Sequence, residues 1–417
     1  MQYLLVVPVA FYRAPDGRVA CESAFVEHLR MTRTMFEPKF TSMRIAAPTM
    51  SDEEYEKNKH HLGHFTEEEE QIFYTRLHQF EASRLLFALF LWLPTYLKII
   101  GAVRKASLVH SGLSFDILMP FEIFSLFAGT VMGKKTVFVI DIDNRKSADM
   151  RYATGAMSKK SYLISKYVYN PLRILQIRWA VRFCSLLMLK SQSLVDDYGK
   201  GKDHVKNFYD VAFSPEYVIP EDRLAQKTRD VQDTGKPLDL TFFGRLVPYK
   251  GIDYCIRAVK KARALGAVGA RLHILGSGYQ EDELKALTAE LGAEDYVIFH
   301  GAVPFGPVFF NQLYDYHLLM AAPLSQDTPR SLFDAMAAGI PLLAFDTDYY
   351  KDLVNTGAVD VVPWRSVDAL AEKIVAFHQD RPLLAQRIEA GVTFAKENSQ
   401  DIWMARRHRW ILDLFPD

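Results

Sequence analysis

The run FFGRLVPYKG brings Gly244, Arg245, Leu246, Lys250 and Gly251 together directly after a stretch of strand character. Glycines at a strand end let backbone come close to a ligand. Arg245 and Lys250 add two cations where the first amides of a following helix already favour an anion. Taken alone, Gly-Arg-Leu is better read as a surface turn with solvated bases; in this context the guest it suits is a diphosphate. A second glycine turn, Gly276-Ser277-Gly278, ends the next β-rich run, although a lone G-x-G is weak evidence for a nucleotide. A third segment, SQDTPRSLFDAMAAGIP, runs from a loop into a helical pattern. The amides of Ser331 and Leu332 would open that helix and could hold a phosphate, with Asp334 one turn along for ribose hydroxyls.

The elements that must carry these turns alternate in type. Residues 238–243, 271–275, 297–300 and 318–322 read as strands, and 252–265, 280–291 and 331–338 as helices, the order of a doubly wound parallel sheet. In the first half, 4–9, 107–110, 136–140 and 185–189 have strand character with helical patterns between them. The fold class is therefore α/β, and 417 residues suit two domains with a ligand cleft between them. The polar stretch 225–237 reads as a linker, which divides the chain into domains 1–234 and 235–399. The final helix, 400–417, carries Ile402, Trp403, Trp410, Ile411 and Leu414, and is expected to pack back on the first domain.

The three motifs, in this order and spacing over residues 238–380, resemble the retaining glycosyltransferases of the GT-B type. The particular family is the one called glycosyl transferases group 1, or family 4-like, which contains many bacterial polysaccharide and lipid-linked-sugar transferases. The resemblance implies two Rossmann-like domains facing a central cleft. It also implies transfer of a sugar from a nucleotide-diphosphate sugar to a glycan or lipid-linked acceptor with retention, in surface polysaccharide or glycolipid synthesis. On that resemblance Arg245 and Lys250 meet the donor diphosphate, residues near Gly276 to Tyr279 and Val303 border the base, and Asp334 binds the ribose. No protein nucleophile is implied, because the acceptor is thought to attack on the departing side. The family pattern E-x7-E is here Gln326 and Asp334, with Asp327 as the alternative first carboxylate. Gln326 can donate to and accept from sugar hydroxyls but carries no charge toward a developing oxocarbenium. That departure keeps open a second reading, a catalytically weak nucleotide-sugar-binding subunit.

On the acceptor side, Asp141 and Asp143 follow the strand 136–140, where an open sheet presents ligand groups. The family often has a His-Asp pair near this place, and no histidine matches it here. Asp141 reads as a cleft residue positioning acceptor or sugar. A metal-dependent transferase using Asp141 and Asp143 is a third reading, which Arg245 and Lys250 would make redundant, so no metal cofactor is expected. His110 at a strand end is either an acceptor-binding or a core histidine. His60, His61 and His64 lack an evident third ligand and read as exposed. An NAD-dependent oxidoreductase is disfavoured, since no G-x-G-x-x-G follows the first strand.

Lys+Arg and Asp+Glu number 50 each, so no global attraction for nucleic acid exists and any electrostatic targeting must be local. The stretch 145–182 is rich in Lys and Arg against the single acid Asp149, suiting either an anionic membrane surface or a solvated basic helix. The apolar segment 85–100 contains Pro94 and Lys98 and falls short of a span of about 20 residues, so a buried or interfacial helix is expected. Residues 67–70 form an acidic run that reads as a solvated helical face. Cys21, Cys184 and Cys255 are widely spaced, which fits a reducing cytoplasm, and residues 1–10 read as a core strand and not as a signal peptide. The localisation expected is cytoplasmic, with a peripheral association at the inner face of the plasma membrane as its extension.

Overall fold

The computed structural model describes residues 1–114, 116–142 and 144–416, without the side chains of Asn144 and Arg145. The first lobe contributes β1 (Gln2–Val6), β2 (Tyr12–Arg13), β3 (Val19–Glu22), β4 (Ser42–Thr49), β5 (Leu62–Phe65), β6 (Ile72–Gln79), β7 (Leu108–Gly112), β8 (Lys135–Ile140), β9 (Leu186–Leu189) and β10 (Val205–Asn207). The second contributes β11 (Leu238–Phe243), β12 (Ala270–Leu275), β13 (Val297–Gly301), β14 (Leu318–Ala321), β15 (Leu342–Phe345) and β16 (Val359–Val362). The main sheets have the orders β10-β9-β8-β7-β1-β4-β6 and β13-β12-β11-β14-β15-β16, with parallel pairing throughout. In each, the chain winds outward from a first strand, then reverses past it. The switch points lie between β1 and β7 and between β11 and β14. A small antiparallel sheet, β2-β3-β5, sits beside the first.

Strands such as β9 (LLML) and β15 (LLAF) are buried at every residue, because crossover helices cover both faces of a parallel sheet. Of the sixteen strands among the described residues, β2 to β6, β10, β15 and β16 lie outside the stretches read as strand, and for β4 and β6 the reason is local. β4 contains Arg44 and Pro48 yet lies in the sheet interior; its pairing with β6 shifts register between Ala47 and Thr49, at the proline that cannot donate. β6 is an edge strand whose sequence, IFYTRLHQ, does not alternate cleanly.

Three other expectations are corrected. Residues 225–237 are mostly helix, Glu221–Gln232, packed against Arg381–Lys396, with Lys227 buried and donating from Nζ to the Ala338 carbonyl at 2.9 Å. The polar surface that suggested a linker is one side of this helix. Within the acidic run, Glu67 and Glu70 turn inward to Arg13 and Arg30, each at 2.7 Å, so only the middle pair is solvated. The segment 85–100 belongs to a longer helix, Arg84–Lys105, whose 22 residues are enough for a span by length and composition; it is largely exposed, which removes the buried alternative and leaves the interfacial one. The final helix, Gln400–Leu412, contacts the first lobe: Phe36 meets His408 with ring centroids 4.5 Å apart, and Phe40 meets Phe415 at 5.3 Å.

Candidate donor and acceptor sites at the opposed strand ends

The carboxyl ends of the two sheets face each other. The Thr328 hydroxyl donates to the Asp141 carbonyl at 3.2 Å, Ser191 Oγ to Asp352 at 2.9 Å, and Lys146 pairs with Asp348 at 2.7 Å. Loops after β8 and β9 thus meet loops after β14 and β15. Ligands of open α/β sheets bind in such a crevice, at the switch point.

In the second lobe a cavity of about 330 Å³ opens at the ends of β11 and β12, lined among others by Gly244, Arg245, Gly276, Val303, Ser331 and Asp334. Six residues singled out from sequence therefore share one wall. Asp334 is buried, at 6 % exposure, and its Oδ1 has no hydrogen-bond partner among the described residues. Burial pushes its carboxyl up to about 7, against a smaller lowering by Arg330. A buried acceptor without a donor is costly unless a ligand supplies one. Ser331 begins the helix Ser331–Ala337, whose first two amides no earlier turn of that helix can satisfy; Leu332 gives this start its anchor, its side chain fully buried in the core.

The glycines act first on the backbone. Gly276 has φ +150°, and a Cβ there would stand 1.9 Å from the Gly244 carbonyl oxygen; one at Gly278 would stand 2.2 Å from that of Leu246. The two turns are locked together by Gly244 N–H to Leu275 at 2.9 Å and Leu246 N–H to Ser277 at 3.0 Å. Gly276 reaches the cavity wall, whereas Gly278 serves the stacking of the turns and lies away from the lining. Gly251, at φ +64°, lets the Lys250 turn press on Ala322, where a Cβ would come within 2.0 Å of the carbonyl oxygen.

Lys250 Nζ donates to the Asp327 carboxylate, and both side chains are largely buried. Of the two candidates for the first motif carboxylate, Asp327 is therefore held by the cation expected to meet the diphosphate, while Gln326, half-buried, lines neither this cavity nor the smaller one beside Lys250. Arg245 is exposed and donates to the Tyr249 hydroxyl at 3.0 Å, a neutral partner. The Tyr249 carbonyl accepts from the Leu324 amide at 2.7 Å, tying this turn to the loop of Gln326 and Asp327.

The sequence reading missed the aromatic wall. Phe243, Phe305 and Phe309 line the same cavity; Phe243 and Phe309 meet edge to face at 5.3 Å, and Phe305 is 54 % exposed at the mouth. The run FGPVFF, with Phe305 and Phe309 one helical turn apart after β13, was the available signal.

The first lobe has its own cavity, of about 460 Å³, at the ends of β1, β7 and β8, where Asp141, His110, His28, Arg173 and Arg407 are among the lining residues. Asp141 thus lies on the wall opposite the second-lobe cavity. Asp143 lies outside the described residues. His110 Nδ1 shares a hydrogen bond with the Tyr3 hydroxyl, and burial together with the nearby Arg407 charge takes it down to about 3, so it is neutral. It is both a satisfied core histidine and a lining residue. Arg407 comes from the final helix, so the tail of the chain completes this wall. His60 and His61 are exposed, and His64 Nε2 bonds the Tyr55 hydroxyl at 3.2 Å. Among the described residues no group of three His, Cys, Asp or Glu side chains is arranged to hold a metal ion.

Two Rossmann-like lobes with opposed strand ends are the GT-B architecture. Residues 237–380 match the family model for Glycosyl transferases group 1. The chain is similar to the UDP-N-acetylglucosamine–peptide N-acetylglucosaminyltransferase GtfA subunit of Streptococcus gordonii, with 30 % identity over 173 residues, 39 % of this chain and 33 % of that one. It is also similar to the lipopolysaccharide core biosynthesis mannosyltransferase LpsB of Rhizobium meliloti, with 27 % identity over 121 residues, 28 % of this chain and 34 % of that one. These matches span about a third of the length of either relative. Over the whole of both chains, the structure superposes on Anabaena HepE in complex with UDP with a TM-score of 0.63 and 15 % identity, a likeness of fold.

Proposed function

We propose that the protein is a cytoplasmic glycosyltransferase that moves a sugar, with retention, from a nucleotide-diphosphate sugar to a glycan or lipid-linked acceptor in surface polysaccharide or glycolipid synthesis. The observation that carries the reading is Asp334: a buried carboxylate oxygen without a donor, in a cavity with Arg245 on one side and aromatic rings on another. Ribose hydroxyls would donate to Asp334, the base would lie against Phe243 or Phe305, and Arg245 with Lys250 would stabilise the leaving diphosphate, where most charge develops. In support, UDP is bound in the HepE structure, whose fold this chain shares, and the relatives named above are sugar transferases.

The acceptor would lie in the first-lobe cavity beside Asp141. We read the reaction as independent of a metal, because Arg245 and Lys250, once Lys250 is released from Asp327, would flank the diphosphate; activity that disappears in excess chelator and returns with a divalent ion would reverse this point and favour Asp141 and Asp143. The binding test is thermal unfolding with a panel of nucleoside diphosphates and nucleotide sugars, followed by donor turnover. A melting point unmoved by every nucleotide refutes the reading.

A second reading, a nucleotide-sugar-binding subunit with little turnover, is favoured by the Lys250–Asp327 pair and by Gln326 at the motif position. Tight nucleotide binding with no donor hydrolysis or transfer over a broad acceptor panel would select it.

A further inference from the structure

A crossover helix of a Rossmann-like lobe ordinarily turns one apolar stripe to the sheet and a polar stripe to water. Arg84–Lys105 breaks that rule. Its inner stripe, Thr95, Ile99, Ala102 and Val103, is buried against the lobe. Its outer stripe is also apolar: Leu85 and Phe90 are 68 % and 66 % exposed, and Leu89, Leu93 and Leu97 are exposed with them. Only 28 % of its most apolar window is buried. Because the inner stripe is held by the core, the helix can lie on a bilayer but not cross it without unfolding the lobe.

The apolar surface continues onto neighbours. Phe121–Val131 packs beside it and exposes Phe127 and Val131, and Phe127 meets Trp179 of Asn170–Phe183 with ring centroids 6.1 Å apart. That helix and the turns before it expose Tyr167, Val168 and Leu175. Arg84 pairs with Asp116 at 2.7 Å, joining the start of the long helix to the segment before Phe121. Exposed apolar area on this scale marks an interaction surface.

Charge decides the occupant. Within 84–105, 121–134 and 145–183 the only acids are Glu122, which is buried, and Asp149, whereas Lys105, Lys159, Lys160, Lys166, Arg178 and Arg182 are all exposed bases. The chain as a whole is balanced at 50 bases and 50 acids, so this excess is local. A second copy docking face to face would oppose bases to bases, since a two-fold interface pairs the same patch with itself. Anionic headgroups around an apolar centre satisfy both parts of the surface.

We propose that this face of the first lobe docks on an anionic phospholipid bilayer, in the plane of the interface. Arg173, on the same helix as Leu175, lines the first-lobe cavity, so docking brings that cavity beside the headgroups. If the proposed transfer reaction holds, a lipid-linked acceptor would reach the cavity from the membrane; the docking itself does not rest on that reaction.

The test is flotation of the intact chain with vesicles of phosphatidylcholine alone, and of phosphatidylcholine with about a quarter phosphatidylglycerol. The chain is expected to float with the anionic vesicles and to be released by high salt. Leu89→Asp with Phe90→Asp, and separately Lys159→Glu with Lys160→Glu, should each lower the bound fraction by on the order of tenfold. All four positions are exposed, and unchanged thermal unfolding and unchanged nucleotide-induced stabilisation of the second lobe separate loss of docking from loss of fold or donor site. No flotation with either vesicle, or flotation insensitive to both variant pairs, overturns the proposal. So does a dimer in solution that Leu89→Asp dissociates, which would assign the face to a second copy.

Discussion

Replacing Asp334 by Asn keeps shape and volume at the donor cavity but removes the ionisation. In the folded chain burial raises this carboxyl from 3.8 to about 7. That is roughly three pH decades at about 1.4 kcal/mol each, or about 4 kcal/mol. The sign follows from proton binding: the folded state holds the Asp334 proton more tightly than the unfolded chain does. Its contribution is therefore fully present below about pH 3.8, declines as pH rises, and is lost above about 7. Asp334→Asn should then match the parent near pH 4 and exceed it at pH 8, by several degrees and at most about 10 °C in melting temperature. Saturating nucleotide should flatten the parent's pH dependence, because hydroxyls donating to Oδ1 favour the carboxylate, and the variant should bind nucleotide about 10- to 100-fold more weakly. Differential scanning fluorimetry from pH 4 to 8, with and without nucleoside diphosphate, reads both effects. Parallel curves for parent and variant, or undiminished nucleotide binding, would falsify the assignment of Asp334 as a buried ligand-seeking carboxylate.

Other expectations follow from the same geometry. Arg245→Ala should raise the Kd for a nucleoside diphosphate by about 10- to 100-fold in isothermal titration while leaving nucleoside binding nearly unchanged, since only the charged hydrogen bonds are lost; equal weakening of both would remove Arg245 from the phosphate. Asp327→Asn should free Lys250 and tighten diphosphate binding by about three- to tenfold, with any fall in turnover read separately as kcat, and a looser diphosphate complex would argue against competition within the pair. Gly276→Ala places a Cβ 1.9 Å from the Gly244 carbonyl oxygen and should cost at least about 2 kcal/mol by denaturant unfolding, together with nucleotide binding; a stable, binding-competent variant would show that the stacked turns yield.

The second lobe was legible in the sequence as far as the helix Ser331–Ala337, because its signals there are local, whereas β15 and β16 were not read. Residues 238–243 are a strand as expected, since an apolar run between a polar segment and a glycine turn has little else to be. The helix beginning at Ile252 and the helix beginning at Ser331 start where a glycine turn and a proline-containing loop predict. In the first lobe, β4 and β6 lay hidden, because a proline at a bulge and polar residues on an edge strand erase the pattern that a solitary sequence offers.

What the sequence determined by itself was the class of architecture and the order of the candidate site groups along it: glycines where backbones must cross, bases beside them, a carboxylate one turn into a helix. Only the tertiary structure decided partners distant along the chain. It joined Lys250 to Asp327, turned Glu67 and Glu70 toward Arg13 and Arg30, set Phe305 at the cavity mouth and brought Arg407 to the opposite lobe. It also decided which side of Arg84–Lys105 stays uncovered, for a helix apolar on every face has no periodicity to say which stripe meets the core.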